Sequence, residues 1–409
     1  MNKFKNMLLP LLIAFMVLNM NGCSGVTMSD VISGNIPSND GQKVFLEAWS
    51  TIKDQYLDKT DNAQDWGRWK SRYFKEIKTK DDAYVAITSM LESLNDPYTR
   101  FLPPSAFKEQ NLSIDAKVYG IGVNISDVEH KITIVGVIDG TPAKKADLKA
   151  GDIILKVNNI NVSGLDLGKV ADMVRGKAGS KVTLVILRDK KKTTKIITRK
   201  EIEIKSVYSK ILDKKYAYIQ IVSFISQETP KEFSKALENT KSAQGIIIDL
   251  RGNTGGLLPN AILLSDMFLK KGTIVSIVGR NGDKEVIKAE AFDAYSDKPL
   301  VVLIDKGSAS ASEIMSGALQ DNHRAKLVGT TTFGKGLVQK IQDLSDGSGI
   351  NVTIAKYLTP DGRDINKKGI EPDVKVEITK ADYLKHRDSQ LKMAKQVLDK
   401  EIIKTGSNK

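Results

Sequence analysis

Apolar residues first recur at helical spacing. Phe45, Trp49, Ile52 and Tyr56 form one stripe, Trp66, Trp69 and Tyr73 a second, and Ala83, Ile87, Met90, Leu91 and Leu94 a third. Stripes of this period predict a small helical region over residues 42–104. After Phe107 the pattern shortens. Tyr119 to Val123 begins a strand, and Ile132, Ile134 and Val135 make another. Thr141 to Ala146 starts a short helix at Pro142, and Ala150 to Asn158 is a turn into a strand. Leu165 to Val174 is helical, and Val182 to Arg188 makes a final strand of this block, 105–200. From 201 to 380 strands and helices alternate. The strands are Tyr216 to Phe224, Gly245 to Leu250, Thr273 to Val278 and Leu300 to Asp305. The helices are Lys231 to Leu237, Pro259 to Phe268 and a stripe of Ile314, Met315, Ala318 and Leu319. That alternation predicts an α/β sheet layered with helices. Residues 381–409 contain a charged amphipathic helix, Ala381 to Ile403, with a face for a partner subunit. The expected class is multidomain, α+β and α/β.

Length agrees with this division, since 409 residues hold two or three domains at ~150 residues each. The net charge of +13 comes from 62 basic and 49 acidic side chains. It forms no Arg-rich or aromatic-interleaved strip, so it describes a solvated surface with some attraction to anionic lipid, not a nucleic-acid site. One cysteine rules out an internal disulfide and a Cys-based metal cluster. That cysteine, Cys23, follows Lys3, Lys5 and an apolar run, Met7 to Leu18, too short to span a bilayer. Residues 1–22 are read as a lipoprotein-type signal peptide, with Cys23 as the lipid anchor and 23–41 as a tether. Met20 and Asn21 are unusual for such a cleavage box. Ordinary cleavage nearby and an uncleaved anchor are the alternatives.

The densest chemistry lies between Ser308 and Gln339. Ser-Ala-Ser-Ala-Ser-Glu stands where a buried strand hands over to a helix, and free N–H groups and the helix dipole can stabilise an oxyanion there. A serine nucleophile needs a base. His130, His323 and His386 lie in no recognisable triad context. Lys335, between Gly334 and Gly336, is the better candidate, because burial disfavours its charged form and a neutral amine can accept a proton. Phe333, Lys335, Leu337, Gln339 and Ile341 are read as one strand face, from which Gln339 could orient the amine. Any one of Ser308, Ser310 and Ser312 is, on its own, more often a helix cap than a nucleophile.

Both segments, Ser-Ala-Ser-Ala-Ser-Glu and Phe-Gly-Lys-Gly-Leu-Val-Gln, resemble those of the C-terminal processing (tail-specific) peptidases, Ser-Lys proteases that carry a PDZ domain. The resemblance implies Ser310 as nucleophile, Lys335 as base and Gln339 as its orienting partner. It covers Gln42 to Asp373 and includes Asp96-Pro97-Tyr98-Thr99, expected to close the helical region and lead into the next domain. In such peptidases the Asp-Leu-Arg-x-Asn-x-Gly-Gly loop donates an oxyanion N–H. Here that role falls on Gly255 or Gly256, with Gly255 preferred and Ala311 as second donor; a tight turn that merely needs glycine is the plain reading. Glu313, one helical turn past Ser310, could bond polar groups nearby or be an ordinary first-turn acid.

Residues 105–200 resemble a PDZ domain. Tyr119, Gly120, Ile121, Gly122 and Val123 stand where such domains bind a C-terminal carboxylate, and the next strand edge would accept the peptide. Arg175-Gly176-Lys177-x-Gly179 matches the family's loop before the last strand; a solvated turn is the plainer reading. The activity so implied is an exported endopeptidase of periplasm or cell envelope. It holds apolar C-terminal tails of protein substrates and cleaves through an acyl-enzyme, with no metal or cofactor. Membrane attachment runs through lipidated Cys23, and a homodimer is left open. The competing expectation is a catalytically inert, membrane-anchored peptide-binding scaffold. A trypsin-like enzyme with a PDZ domain is a weaker rival: Arg-Gly-Asn-Thr-Gly-Gly puts Thr254 where its serine would be.

Overall fold

The computed structural model describes residues 39–114, 117–203, 205–290 and 297–407. The signal segment, Cys23 and the tether up to residue 38 lie outside them. The first helix, Asp40–Gln55, starts two residues before the expected boundary. Asn39 caps it: its Oδ1 accepts from Gln42 N at 2.9 Å, and Gln42 Oε1 accepts from Asn39 N at 3.1 Å. Gly41 is required, because a Cβ there would meet Thr79 O at 2.4 Å. With Gly67–Tyr73 and Lys80–Glu92, this helix encloses Phe45, Trp49, Ile52, Ile87 and Met90. The same core takes in Leu344, Ile350 and Val352 from far along the chain.

The PDZ-like block holds a sheet in the order Val123–Val128, Lys131–Val137, Ile153–Val157, Lys181–Arg188, Lys191–Thr198. Lys181–Arg188 is therefore not its last strand. Lys191–Thr198 adds an edge that hydrophobic patterning hid, since Lys192, Thr194, Ile196 and Thr198 are all exposed and only Ile197 is fully buried. Asp189 and Lys190, at φ 48° and 63°, make the hairpin turn between the two strands. A short ladder, Lys117–Gly120 against Lys200–Glu203, brackets the block.

The third unit is a six-stranded sheet in the order Val207–Leu212, Tyr216–Ile221, Gly245–Asp249, Leu300–Ile304, Lys326–Gly329, Val374–Lys375. All neighbours after the first pair are parallel. Gly245–Asp249 and Leu300–Ile304 are buried at every position, as a sheet covered on both faces demands. Helices Thr229–Asn239, Leu258–Asp266 and Ala311–Asp321 share the core of one face. Ala394 and Leu398 of the helix Ser389–Ser407 pack on the other. The expected C-terminal helix is thus two, Lys380–Leu384 and Ser389–Ser407, interrupted where His386 takes φ 50°.

A second, antiparallel sheet was not foreseen as a unit. Gly349–Leu358 pairs with Arg100–Leu102, Leu337–Asp343 and Thr273–Gly279, and the last pairs with Lys284–Lys288. It joins the helical region to the α/β unit. Leu57 N donates to Thr353 O at 2.8 Å, and Thr353 N donates to Thr99 Oγ1 at 3.0 Å.

Candidate active site

The site forms where parallel strands end and helices begin, the usual place for chemistry in such sheets. Asp305, just past Leu300–Ile304, accepts from Gly252 N and Gly307 N at 2.9 Å each, drawing two strand-end loops together. Ser308 and Ser312 are fully buried. Ser308 Oγ donates to Leu250 O, and Ser312 Oγ to Asn253 O, each at 2.8 Å. Their hydroxyls therefore serve the loop. Ser310 alone keeps solvent contact. It stands immediately before Ala311–Asp321 with φ 53° and ψ −114°. A non-glycine residue held in such a conformation costs about 1–3 kcal/mol and is found mostly where function needs it.

Asn253 fixes the adjoining loop. Its Nδ2 donates to Ile221 O at 2.7 Å, and its carbonyl accepts from Ala309 N at 3.0 Å. Its Oδ1 accepts from Gly255 N at 2.9 Å. Gly255 lies so close to Ser310 that a Cβ would come within 2.8 Å of the serine Cβ and 2.9 Å of Ala311 N. In this structure the N–H of Gly255, the preferred oxyanion donor, is engaged by Asn253. Gly256 N–H and Ala311 N–H have no backbone acceptor among the described residues.

Glu313, fully buried in the first turn of the helix, joins the serine to the lysine segment. Its Oε2 accepts from Ser310 N at 2.8 Å and Lys335 N at 2.9 Å. Its Oε1 accepts from Thr332 Oγ1 at 2.6 Å and Gly334 N at 2.7 Å. Both glycines beside Lys335 allow close approach of another loop. A Cβ at Gly334 would meet Gly369 N at 2.8 Å, and one at Gly336 would meet Asn366 N at 2.9 Å.

The Lys335 side chain is half-buried, and its Nζ lies over the ring of Tyr98, 4.6 Å from the centroid. Among the described residues no hydrogen bond joins the amine to Ser310 or Gln339. Gln339 Nε2 instead donates to Thr353 Oγ1 at 3.5 Å. The single strand face expected over Phe333 to Ile341 is not continuous: the strand starts at Leu337, and the register shifts between Val338 and Gln339.

Burial lowers the Lys335 pKa from its ordinary value, and the positive charge of Arg100 lowers it further, against Asp96 and Glu313, which raise it. Activity that needs the free amine should rise with pH through this lowered pKa. Arg100→Gln removes a cation, so the rising limb of kcat/KM against pH should move to higher pH. Asp96→Asn should move it to lower pH. Unchanged limbs in both variants would show that these charges do not act on the group that titrates in catalysis.

Tyr98, Asp96 and Arg100 are the residues that sequence reading missed at this site. The sequence pattern reads their run as a junction between domains. In the structure Asp96 accepts from Tyr98 N at 3.0 Å and from Thr99 Oγ1 at 2.7 Å, presenting the Tyr98 ring to a lysine far along the chain. The one available signal was an aromatic residue inside an otherwise polar turn.

In the PDZ-like block Tyr119 and Gly120 pair with Glu201 and Lys200, and Ile121 is buried. Gly122 has φ 86°, with Thr141 2.4 Å from where its Cβ would be. Val123 begins a strand whose single sheet neighbour is Lys131–Val137. Among the described residues its other edge pairs with no strand, and the helix Leu167–Val174 packs against it. Arg175, just past that helix, pairs with Glu109 at 2.5 Å. The three histidines all occupy turn positions with positive φ.

Ser310, strained at a strand-to-helix switch, and the half-buried Lys335 are tied through their backbones to one Glu313 oxygen, in a chain that also carries a PDZ-like sheet. Residues 215–376 match Peptidase family S41, and residues 133–188 match a PDZ domain. The chain is 39% identical over 359 residues to the carboxyl-terminal-processing protease of Synechocystis sp., covering 84% of each. It is 42% identical over 338 residues to the carboxy-terminal processing protease CtpA of Bacillus subtilis, covering 81% of this chain and 71% of that one. A solved structure of the photosystem II D1 C-terminal processing protease superposes with a TM-score of 0.57 at 34% identity, over 83% of this chain and 94% of the other. The chain belongs to peptidase family S41 and is a C-terminal processing protease.

Proposed function

We propose that this protease is exported, holds the apolar C-terminal tails of proteins in its PDZ groove and cleaves upstream through a Ser310 acyl-enzyme. Ser310 Oγ attacks the scissile carbonyl while neutral Lys335 takes its proton and then returns it to the leaving amine; water releases the acyl group. Ala311 N–H and Gly256 N–H receive the oxyanion. Lys335 swings from the Tyr98 ring to the hydroxyl when substrate arrives, and Gln339 then orients the amine. Tyr119 to Val123 take the tail's carboxylate. Cys23 carries a lipid that fixes the chain to a membrane of the cell envelope, and two copies pair as a homodimer.

The observation that carries the mechanism is the shared Glu313 oxygen. It holds the backbones of Ser310 and Lys335 together, while the other two serines of the motif are committed to the loop. The test is a fluorophosphonate probe and a protein with an apolar tail, applied to the envelope fraction and read by mass spectrometry. We expect label on the Ser310 peptide, cuts upstream of the tail, and a mature N-terminal peptide that starts at acylated Cys23. Tail cleavage with label absent from Ser310 would refute the nucleophile. An unacylated terminus would refute the anchor alone. Cross-linking or light scattering of the purified protein at working concentration reads the dimer, and a monomer would remove it.

A further inference from the structure

The two catalytic backbones share a second partner besides Glu313. Tyr357, on the strand Gly349–Leu358 of the antiparallel sheet, is fully buried. Its hydroxyl lies 2.7 Å from Lys335 O and 3.1 Å from Ser310 O. Tyr357 N also donates to Gly336 O at 3.0 Å, so the strand is fastened to the lysine turn on both sides of the ring. Glu313 thus gathers the N–H groups of both residues, and Tyr357 faces the C=O groups of both. Burial and the nearby Glu313 raise the phenol pKa well above its ordinary value, so the hydroxyl keeps its proton and remains a donor.

We propose that Tyr357 is a positioning residue for catalysis. Its single O–H, placed between the carbonyls of Ser310 and Lys335, sets the separation of nucleophile and base. The proposal rests on the reading of Ser310 and Lys335 as the reacting pair. A phenol is suited to this place because it reaches the junction from another sheet and brings no charge. Without the hydroxyl, Glu313 still ties the two N–H groups and the helix still holds the Ser310 carbonyl through Glu313 N and Ile314 N, but the Lys335 carbonyl loses its tie to the serine turn and can move away from it. A shift of about 1 Å between reacting groups can cost a hundredfold in rate.

The test is Tyr357→Phe, which keeps the ring in the core and removes only the donor. On a substrate with an apolar tail, kcat should fall roughly 10- to 100-fold while KM stays within about twofold, because the PDZ groove is untouched. The rate constant for fluorophosphonate labelling of Ser310 should fall in parallel. Labelling reports on folded molecules only, so a partial loss of folding lowers its amplitude and leaves its rate constant interpretable. A wild-type kcat and labelling rate in Tyr357→Phe would overturn the proposal, as would a fall in kcat/KM carried by KM alone. Ser310→Ala and Lys335→Ala run beside it separate the two levels. If they retain activity, the reacting pair is wrong; if they are inactive while Tyr357→Phe is normal, only the positioning role fails.

Discussion

Lys335→Ala is expected to lower kcat/KM on a tailed substrate by about 10⁴-fold, or about 5 kcal/mol of transition-state stabilisation. Lys335 is the proposed base, and its backbone is tied to that of Ser310 through Glu313. Lys335→Arg should be equally inactive. A guanidinium keeps its charge at any working pH, so it cannot accept the serine proton. Both variants should fold, because the side chain is half-buried and makes no hydrogen bond among the described residues, while the turn is held through its backbone. The measurement is steady-state cleavage across pH, with circular dichroism on the same samples. Retention of more than about a tenth of wild-type activity in either variant would exclude Lys335 as the base.

The second large effect is on stability. Glu313→Ala should destabilise the α/β unit by about 3–5 kcal/mol, read as a lower midpoint in urea. Its carboxyl accepts from Ser310 N, Thr332 Oγ1, Gly334 N and Lys335 N. Truncation leaves those donors facing a void inside the fold. Glu313→Gln keeps the volume and one accepting oxygen but turns an NH₂ group toward two N–H donors, so it should fall between alanine and wild type. A midpoint within experimental error of wild type for Glu313→Ala would mean that water replaces the carboxyl and that the joint does not hold the loops.

The reach of sequence reading follows the distance over which each feature is encoded. Leu300–Ile304 and Gly245–Asp249 were legible because a strand buried on both faces must be apolar throughout. Ser310 and Lys335 stood out only because the two segments that carry them together resemble those of the peptidase family; what the structure adds is the Glu313 oxygen that ties their backbones. Lys191–Thr198 was not, since an edge strand can be polar on nearly every position and still hold its place through the ladder with Lys181–Arg188. Tyr98 and Tyr357 were invisible as site residues for another reason. Their significance lies in what a ring touches across 237 and 22 or 47 residues of chain, and no local pattern carries that. The Gly255 loop is recognisable from its glycines, but which of its N–H groups is engaged depends on the Asn253 side chain, which no local pattern gives.

The junction at Thr353 bears on how the enzyme can be cut down. Its backbone receives Leu57 and engages Thr99, and its hydroxyl faces Gln339, so one residue touches the first helical segment and the strand Leu337–Asp343 together. Modular trimming therefore has no clean seam ahead of the PDZ-like block. A shortened version that begins there would forfeit the Arg100–Leu102 edge of the antiparallel sheet and the Tyr98 ring over Lys335, and engineers seeking a minimal protease must carry residues 39–102 as working parts.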